Sequence, residues 1–230
     1  MAVIHNTTLK PGKLELLAAW LPAQPWYLDT GQEPELVRSG GFRLDDPAGD
    51  VGIEFMLVRD DSGGNPTTYQ VPMTYRSAAR DSSAGLIGTS EHGVLGLRWI
   101  YDAAQDPVMV TQLVALIQGA VQAQMQSRSH APDSTVTGVA VDGGALDVLA
   151  SAVTASGPDG TELLVETAGA PSLPDGQLIV HISRVLTPVD SAAALDAAGT
   201  VAANWVLADD TAVRGVLAAA QWTSAPRPRV

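Results

Sequence analysis

The second half of the chain is a succession of short apolar runs cut apart by tight polar turns. The runs are Val136 to Val141, Asp147 to Ala155, Glu162 to Thr167, Leu178 to Leu186, Val201 to Leu207 and Val213 to Gln221. Between them stand Asp142-Gly143-Gly144, Gly157-Pro158-Asp159-Gly160, Pro174-Asp175-Gly176 and Ala208-Asp209-Asp210-Thr211. Runs this short are strands, and turns this tight join neighbours antiparallel. This half therefore reads as a sheet of hairpins. Residues 190–198 are Ala-rich and predict one short helical turn.

The first half adds two helices to the same kind of pattern. Residues 11–21 predict a helix: Thr8 is placed to cap it, Pro11 suits its first turn, and Leu14, Leu17, Ala18 and Leu21 share a face. Pro22 and Pro25 end it. Glu35 to Leu44 reads as a strand with a bend at Gly40-Gly41. Val51 to Val58 and Thr67 to Tyr75 flank the turn cluster Asp60-Asp61-Ser62-Gly63-Gly64-Asn65 and predict a hairpin, with Pro72 suggesting an edge or a bulge. A third pair spans Ala84 to Gly88 and His92 to Trp99. Asp106-Pro107 opens a second helix, with Val110, Leu113, Val114, Ile117, Val121 and Gln124 recurring on one face to about residue 126. The polar stretch Ser127 to Ser134 is the natural boundary. The expected class is α+β: a curled antiparallel sheet with two packing helices over 1–128, then a second antiparallel hairpin sheet, or a continuation of the first, over 129–230. Residues 224–230 are expected to fray.

Composition excludes several kinds of partner. At 230 residues the chain buries a sizeable core. It carries 25 acidic and 13 basic residues, a formal net charge of −12, and its lysines are Lys10 and Lys13. That balance argues against nucleic acid and against an anionic membrane surface. There is no cysteine, so disulfides and thiolate zinc sites are out. The first residues lack the basic and apolar regions of a signal peptide, and no apolar run is long enough to span a bilayer, so the cytoplasm is the expected compartment.

Tests for catalytic chemistry find little. Neither a Gly-Lys-Ser/Thr phosphate loop nor a Gly-x-Gly-x-x-Gly turn is present. Gly88-Thr89-Ser90-Glu91-His92-Gly93 has the wrong spacing for a nucleophile elbow. His5, His92, His130 and His181 are too far apart in sequence to make a helical metal pair, and the doublets Asp45-Asp46, Asp60-Asp61 and Asp209-Asp210 stand beside turn residues. No cofactor is expected. Two aromatic clusters are candidates for a ligand or partner surface. One is Trp26 and Tyr27, in a segment that reads first as a hydrophobic plug locking the helix to a sheet. The other is Glu91 and His92 with Arg98, Trp99 and Tyr101, which reads first as a sheet end with Trp99 and Tyr101 on one face and Arg98 and Ile100 on the other, and whose aromatic faces and planar polar groups also suit a carbohydrate or a protein.

Trp20-Leu21-Pro22 with Trp26-Tyr27, the hairpin leading into Tyr69-Gln70-Val71-Pro72, and Tyr101-Asp102 before the Asp106 helix resemble, in that order, the maltokinase N-terminal cap family. The resemblance covers roughly residues 10–126. It implies a curled antiparallel sheet with flanking helices, the module that in actinobacterial kinases sits on a eukaryotic-like catalytic region phosphorylating maltose with ATP and magnesium. Isolated caps often carry glucan-branching names, which these residues do not justify. In the kinases the cap is followed by a strand bearing the ATP-binding lysine and by a helical lobe with the catalytic aspartate. Here Leu178 to Arg184 is the comparable strand, it has no lysine, and the sequence ends about where the lobe is expected. The resemblance thus implies a non-catalytic interaction or regulatory protein near α-glucan, maltose or trehalose metabolism. Its partner would be another protein, a carbohydrate-metabolism enzyme or a second copy in a homodimer. A small-ligand (carbohydrate) binding protein and an unrecognised carbohydrate-active enzyme are the alternatives.

Overall fold

In the computed structural model, residues 9–128, 131–140, 146–169, 176–188 and 197–223 are described. The Thr8 cap, His5, His130, the turn at 142–144, Pro174 and Asp175, the Ala-rich residues up to 196 and residues 224–230 lie outside them. The order is β1 (Leu9–Lys10), α1 (Lys13–Trp20), β2 (Leu36–Leu44), β3 (Gly52–Asp60), β4 (Thr67–Arg76), β5 (Leu86–His92), β6 (Gly96–Asp102) and α2 (Pro107–Ile117). There follow β7 (Gln124–Met125), β8 (Thr137–Ala140), β9 (Leu146–Gly157), β10 (Gly160–Gly169), β11 (Gly176–Ile182), β12 (Val185–Leu186), β13 (Gly199–Val206) and β14 (Ala212–Trp222).

These strands form one antiparallel sheet rather than two in succession. Its order is β1-β5-β6-β4-β3-β2-β13-β14-β11-β10-β9, with β12 on β4, β7 on β2 and β8 on β13. The protein is accordingly mostly β, with two short helices. Three of the four turns expected in the second half join paired neighbours, β9 with β10, β10 with β11 and β13 with β14, whereas β8 pairs with β13 and not with β9. The join between halves is the non-local contact of β2 with β13, Gly40 opposite Trp205. That join depends on the bend in β2. The register slips between Arg38 and Gly40. Gly41 has φ +128°, and a Cβ there would lie 2.3 Å from the Phe55 carbonyl oxygen. Only glycine takes that backbone at that distance.

Pro72 is on neither an edge nor a bulge. It lies opposite Phe55 of β3. On its other side β4 changes neighbour, from β12 at Thr68–Tyr69 to β6 from Met73. The missing N–H falls at that gap, where no ladder bond is lost.

Both helices are shorter than their patterns predict. α1 gives way after Trp20 to a 3-10 turn over Leu21–Ala23. α2 ends at Ile117 because Gly119, at φ +71°, turns the chain in the left-handed conformation. Val121 and Gln124 keep helical spacing but leave the helix, and Gln124 enters β7. Asp106 caps α2 as expected, accepting from the Val108 N–H at 3.1 Å.

The helices cover opposite faces of the central strands. α2 packs with Ile53, Phe55 and Leu57 of β3, and with Val165, Val180, Val201 and Trp205 from the second half. α1 packs with Met56 and Val58 of β3 and with Tyr69, Val71, Met73 and Ile100. β3 is thus buried on both faces, which is why Phe55 to Val58 at its centre are four apolar residues in a row.

A buried seam ties β4 to the second half. The Gln70 side-chain amide donates to the carbonyls of Ser183 (3.0 Å) and Leu217 (2.9 Å), and its backbone N–H donates to the Arg184 carbonyl at 2.9 Å. Arg184 is 1% exposed. Its Nη2 donates to Asp102 Oδ2 at 2.6 Å, its Nε donates to Thr161 Oγ1 at 2.8 Å, and its guanidinium lies 4.9 Å from the Trp26 ring centroid. Removing one partner of such a pair strands a buried charge, at about 3–5 kcal/mol. Arg184→Met is therefore expected to lower the stability of the whole protein by that amount in urea unfolding, with one transition retained. A loss under about 1 kcal/mol contradicts this.

Candidate functional site

The structure scatters the residues that the sequence groups. Trp26 is 1% exposed, so it offers no ring to a ligand. It is packed between Trp20 (centroids 5.8 Å apart), Tyr69 (6.0 Å) and Arg184. The reading of this segment as a plug fits that placement. Tyr27 is half-buried beside Tyr69, and its hydroxyl donates to Asp60 Oδ2 at 2.8 Å. Burial and then the Asp60 carboxylate push the Tyr27 phenol well above its ordinary range. Burial works to raise Asp60 as well, but the Ser62 and Glu35 N–H groups and the Tyr27 hydroxyl outweigh it and hold this carboxyl low. This pair shapes the turn after β3.

The second cluster divides in two. Glu91 is exposed and lies between Lys10 and Leu97 in the ladders. His92 ends β5 instead of opening the next strand, and its Nδ1 accepts from the N–H groups of Val94 (3.3 Å) and Leu95 (3.0 Å). The imidazole therefore braces the hairpin turn. That turn leaves Val94 at 61% and Leu95 at 46% exposure, a small apolar tip in water. Arg98, half-buried, donates to the Leu95 carbonyl. Tyr101 is buried, so like Trp26 it presents no open ring. Its hydroxyl accepts from the Arg80 N–H at 2.9 Å, and the Arg80 guanidinium lies 5.4 Å from its ring centroid. Of the aromatics in this cluster, Trp99 keeps an open side, opposite Arg76 in the ladder.

The loop that follows Arg76 is a feature that the sequence does not single out. The loop after β4, Ser77 to Ser82, folds with Asp50 around an open cleft of about 570 Å³ lined by Arg76, Arg80 and Asp81. The signal is present as Arg76-Ser77-Ala78-Ala79-Arg80-Asp81, a polar loop with two arginines. Nothing local says that it folds back toward Asp50. Arg76 is held by two bonds of 2.8 Å, Nε to Asp106 Oδ2 and Nη2 to Asp106 Oδ1. Among the described residues no group of three His, Cys, Asp or Glu is placed to hold a metal ion. No helix among them is long and apolar enough to cross a membrane.

Asp106 makes the fold sensitive to acid. Burial works to raise its pKa, but Arg76 and the Val108 N–H outweigh it, so the carboxyl sits below the usual range. A group whose pKa is depressed by folding contributes stability above its unfolded value, near 3.9. That contribution fades as pH falls through the folded value. Thermal melts between pH 7 and 2 are expected to show an acid loss that is shallower in Asp106→Asn, which also starts less stable at pH 7. Equal slopes in the two proteins contradict this role.

Residues 20–106 match the family model of the maltokinase N-terminal cap domain. The match runs from the end of α1 to the cap residue of α2, and so takes in β2 to β6, Trp26, Trp99 and Asp102. No curated protein and no solved structure matches the chain. Over residues 20–106 the chain is therefore similar to the maltokinase N-terminal cap domain.

Proposed function

We propose that this protein is a non-catalytic, cap-like interaction module of the cytoplasm that works beside enzymes of α-glucan, maltose or trehalose metabolism. One observation carries the reading: strands β8 to β14 continue the sheet begun by the cap-like segment. Arg184, which follows the strand comparable to the kinases' lysine-bearing strand, is buried against Asp102. The metabolic context comes from the family match alone. The surface offered to a partner is the hairpin tip at Val94 and Leu95, where apolar side chains stand in water beside Arg98 and Glu91. The partner is a protein of carbohydrate metabolism, and a second copy of the chain is the other candidate.

The purified protein, given ATP, magnesium and maltose, is expected to form no maltose phosphate and to release no glucose. Turnover that disappears in a point variant of this chain overturns the non-catalytic reading. The double substitution Val94→Asp and Leu95→Asp is expected to leave the melting temperature within a few degrees, about 0.5 kcal/mol of stability, and to abolish capture of the partner enzyme.

A further inference from the structure

Strand β9 ends the sheet. It is 12 residues long, Leu146–Gly157, and pairs with β10 along one side. No strand among the described residues pairs with its other side. The opposite end of the strand order is β1, which is 2 residues long and carries Lys10. Short edge strands and edge lysines keep sheets from joining edge to edge. β9 has neither: it holds no lysine and no proline, and Asp147 is its one charged residue. Its register shifts against β10, at Leu149 and Thr154, twist the strand toward its ends and leave Ala150 to Val153 in regular pairing between them. Leu149 is 66% exposed, more than Val94 at the hairpin tip.

The core is also incompletely covered along this edge. Leu163 and Val165 of β10 are buried, but their direct partners on β9, Val153 and Ser151, are only half-buried, as is Val148 opposite Thr167. Direct cross-strand partners share a face, so these three side chains point toward the core and lack cover on the open side. One more strand beside β9 supplies both the ladder bonds and that cover. Charge selects which strand. Two copies of a chain of net charge −12 repel each other unless they meet where neither carries charge. β9 is such a place for itself. An antiparallel pair centred on Ser151 sets Ala150 opposite Ala152, Leu149 opposite Val153 and Asp147 opposite Ala155, so no carboxylate meets its own copy.

We infer that two copies of this chain join through β9, antiparallel, so that the sheet runs on across a two-fold axis. The seam lies at the other end of the strand order from the Val94–Leu95 tip and does not depend on the partner proposed there. Sedimentation equilibrium on the full chain is expected to show a monomer–dimer equilibrium with a Kd of about 1–100 µM, as suits a small interface. Leu149→Glu with Ala152→Glu sets like charges across the seam from two exposed positions. It should weaken association by about tenfold or more, while circular dichroism and the melting temperature match the parent. Val94→Asp with Leu95→Asp should dimerise like the parent. The sequence has no cysteine, so a nitroxide on Ala152→Cys labels one position. Paired strands hold the two labelled Cα atoms within about 10 Å, and the spins should show dipolar coupling that dilution removes. The inference is overturned if the parent stays monomeric at about 200 µM, if the double glutamate variant dimerises as tightly as the parent, if the tip variant loses the dimer, or if the labels in the dimer show no coupling. A monomer that takes up another protein's strand along β9 contradicts it as well.

Discussion

The ion pair between Arg184 and Asp102 is the contact on which the rest of the structure turns. A guanidinium that is 1% exposed is costly to bury, and it is stable there only if its charge is opposed. Asp102 opposes the charge, Thr161 takes the Nε proton, and the Trp26 ring covers the cation. These partners come from three separate parts of the chain. Asp102 belongs to the cap segment and also caps the short turn before α2, accepting from the Ala104 N–H at 3.2 Å. Thr161 opens β10, and Trp26 follows α1. None of the three can move far without exposing or stranding the charge.

The sheet is organised around that point. β11 leads into Arg184, and at the next residue, Val185, β12 begins pairing with β4. The path from β4 through β3, β2, β13 and β14 to β11 is thereby returned to β4 by the chain itself. The ladder stays open, but Gln70 bridges the seam with three hydrogen bonds. α2 lies within the curl and packs on strands from both sides of residue 128. The segment that matches the cap family is thus completed by residues outside the match, and its own core borrows side chains from them.

Local features were legible from the sequence, and long-range ones were not. The strands of the second half follow their apolar runs because each hairpin is specified by its own turn. Asp106-Pro107 marked the start of α2 because a cap is local chemistry. The end of α2 was overrun because Val121 and Gln124 keep the spacing, while Gly119 needs only one residue to stop the helix. That one sheet holds both halves rests on Gly40 meeting Trp205, a contact that no spacing rule encodes. Of the candidate site, Trp99, Arg98, Glu91 and His92 were grouped by their closeness in sequence, and the structure divides them: two strand residues can lie close in sequence and face opposite ways. Trp26 and Tyr101 were candidates for a ligand surface as well as for packing. Their burial under Arg184 and Arg80 depends on arginines remote in sequence, 82 residues separating Arg184 from Asp102.

The central claim is that the cap segment and the strands after it open as one unit. Native-state hydrogen exchange on the full chain tests this directly. The account predicts that the slowest amides of β3 and β4 and those of β13 and β14 exchange with the same opening free energy, equal to that of global unfolding. If β13 and β14 exchange through a separate opening of lower free energy while β3 and β4 stay protected, the cap segment stands without its second half and the account is wrong.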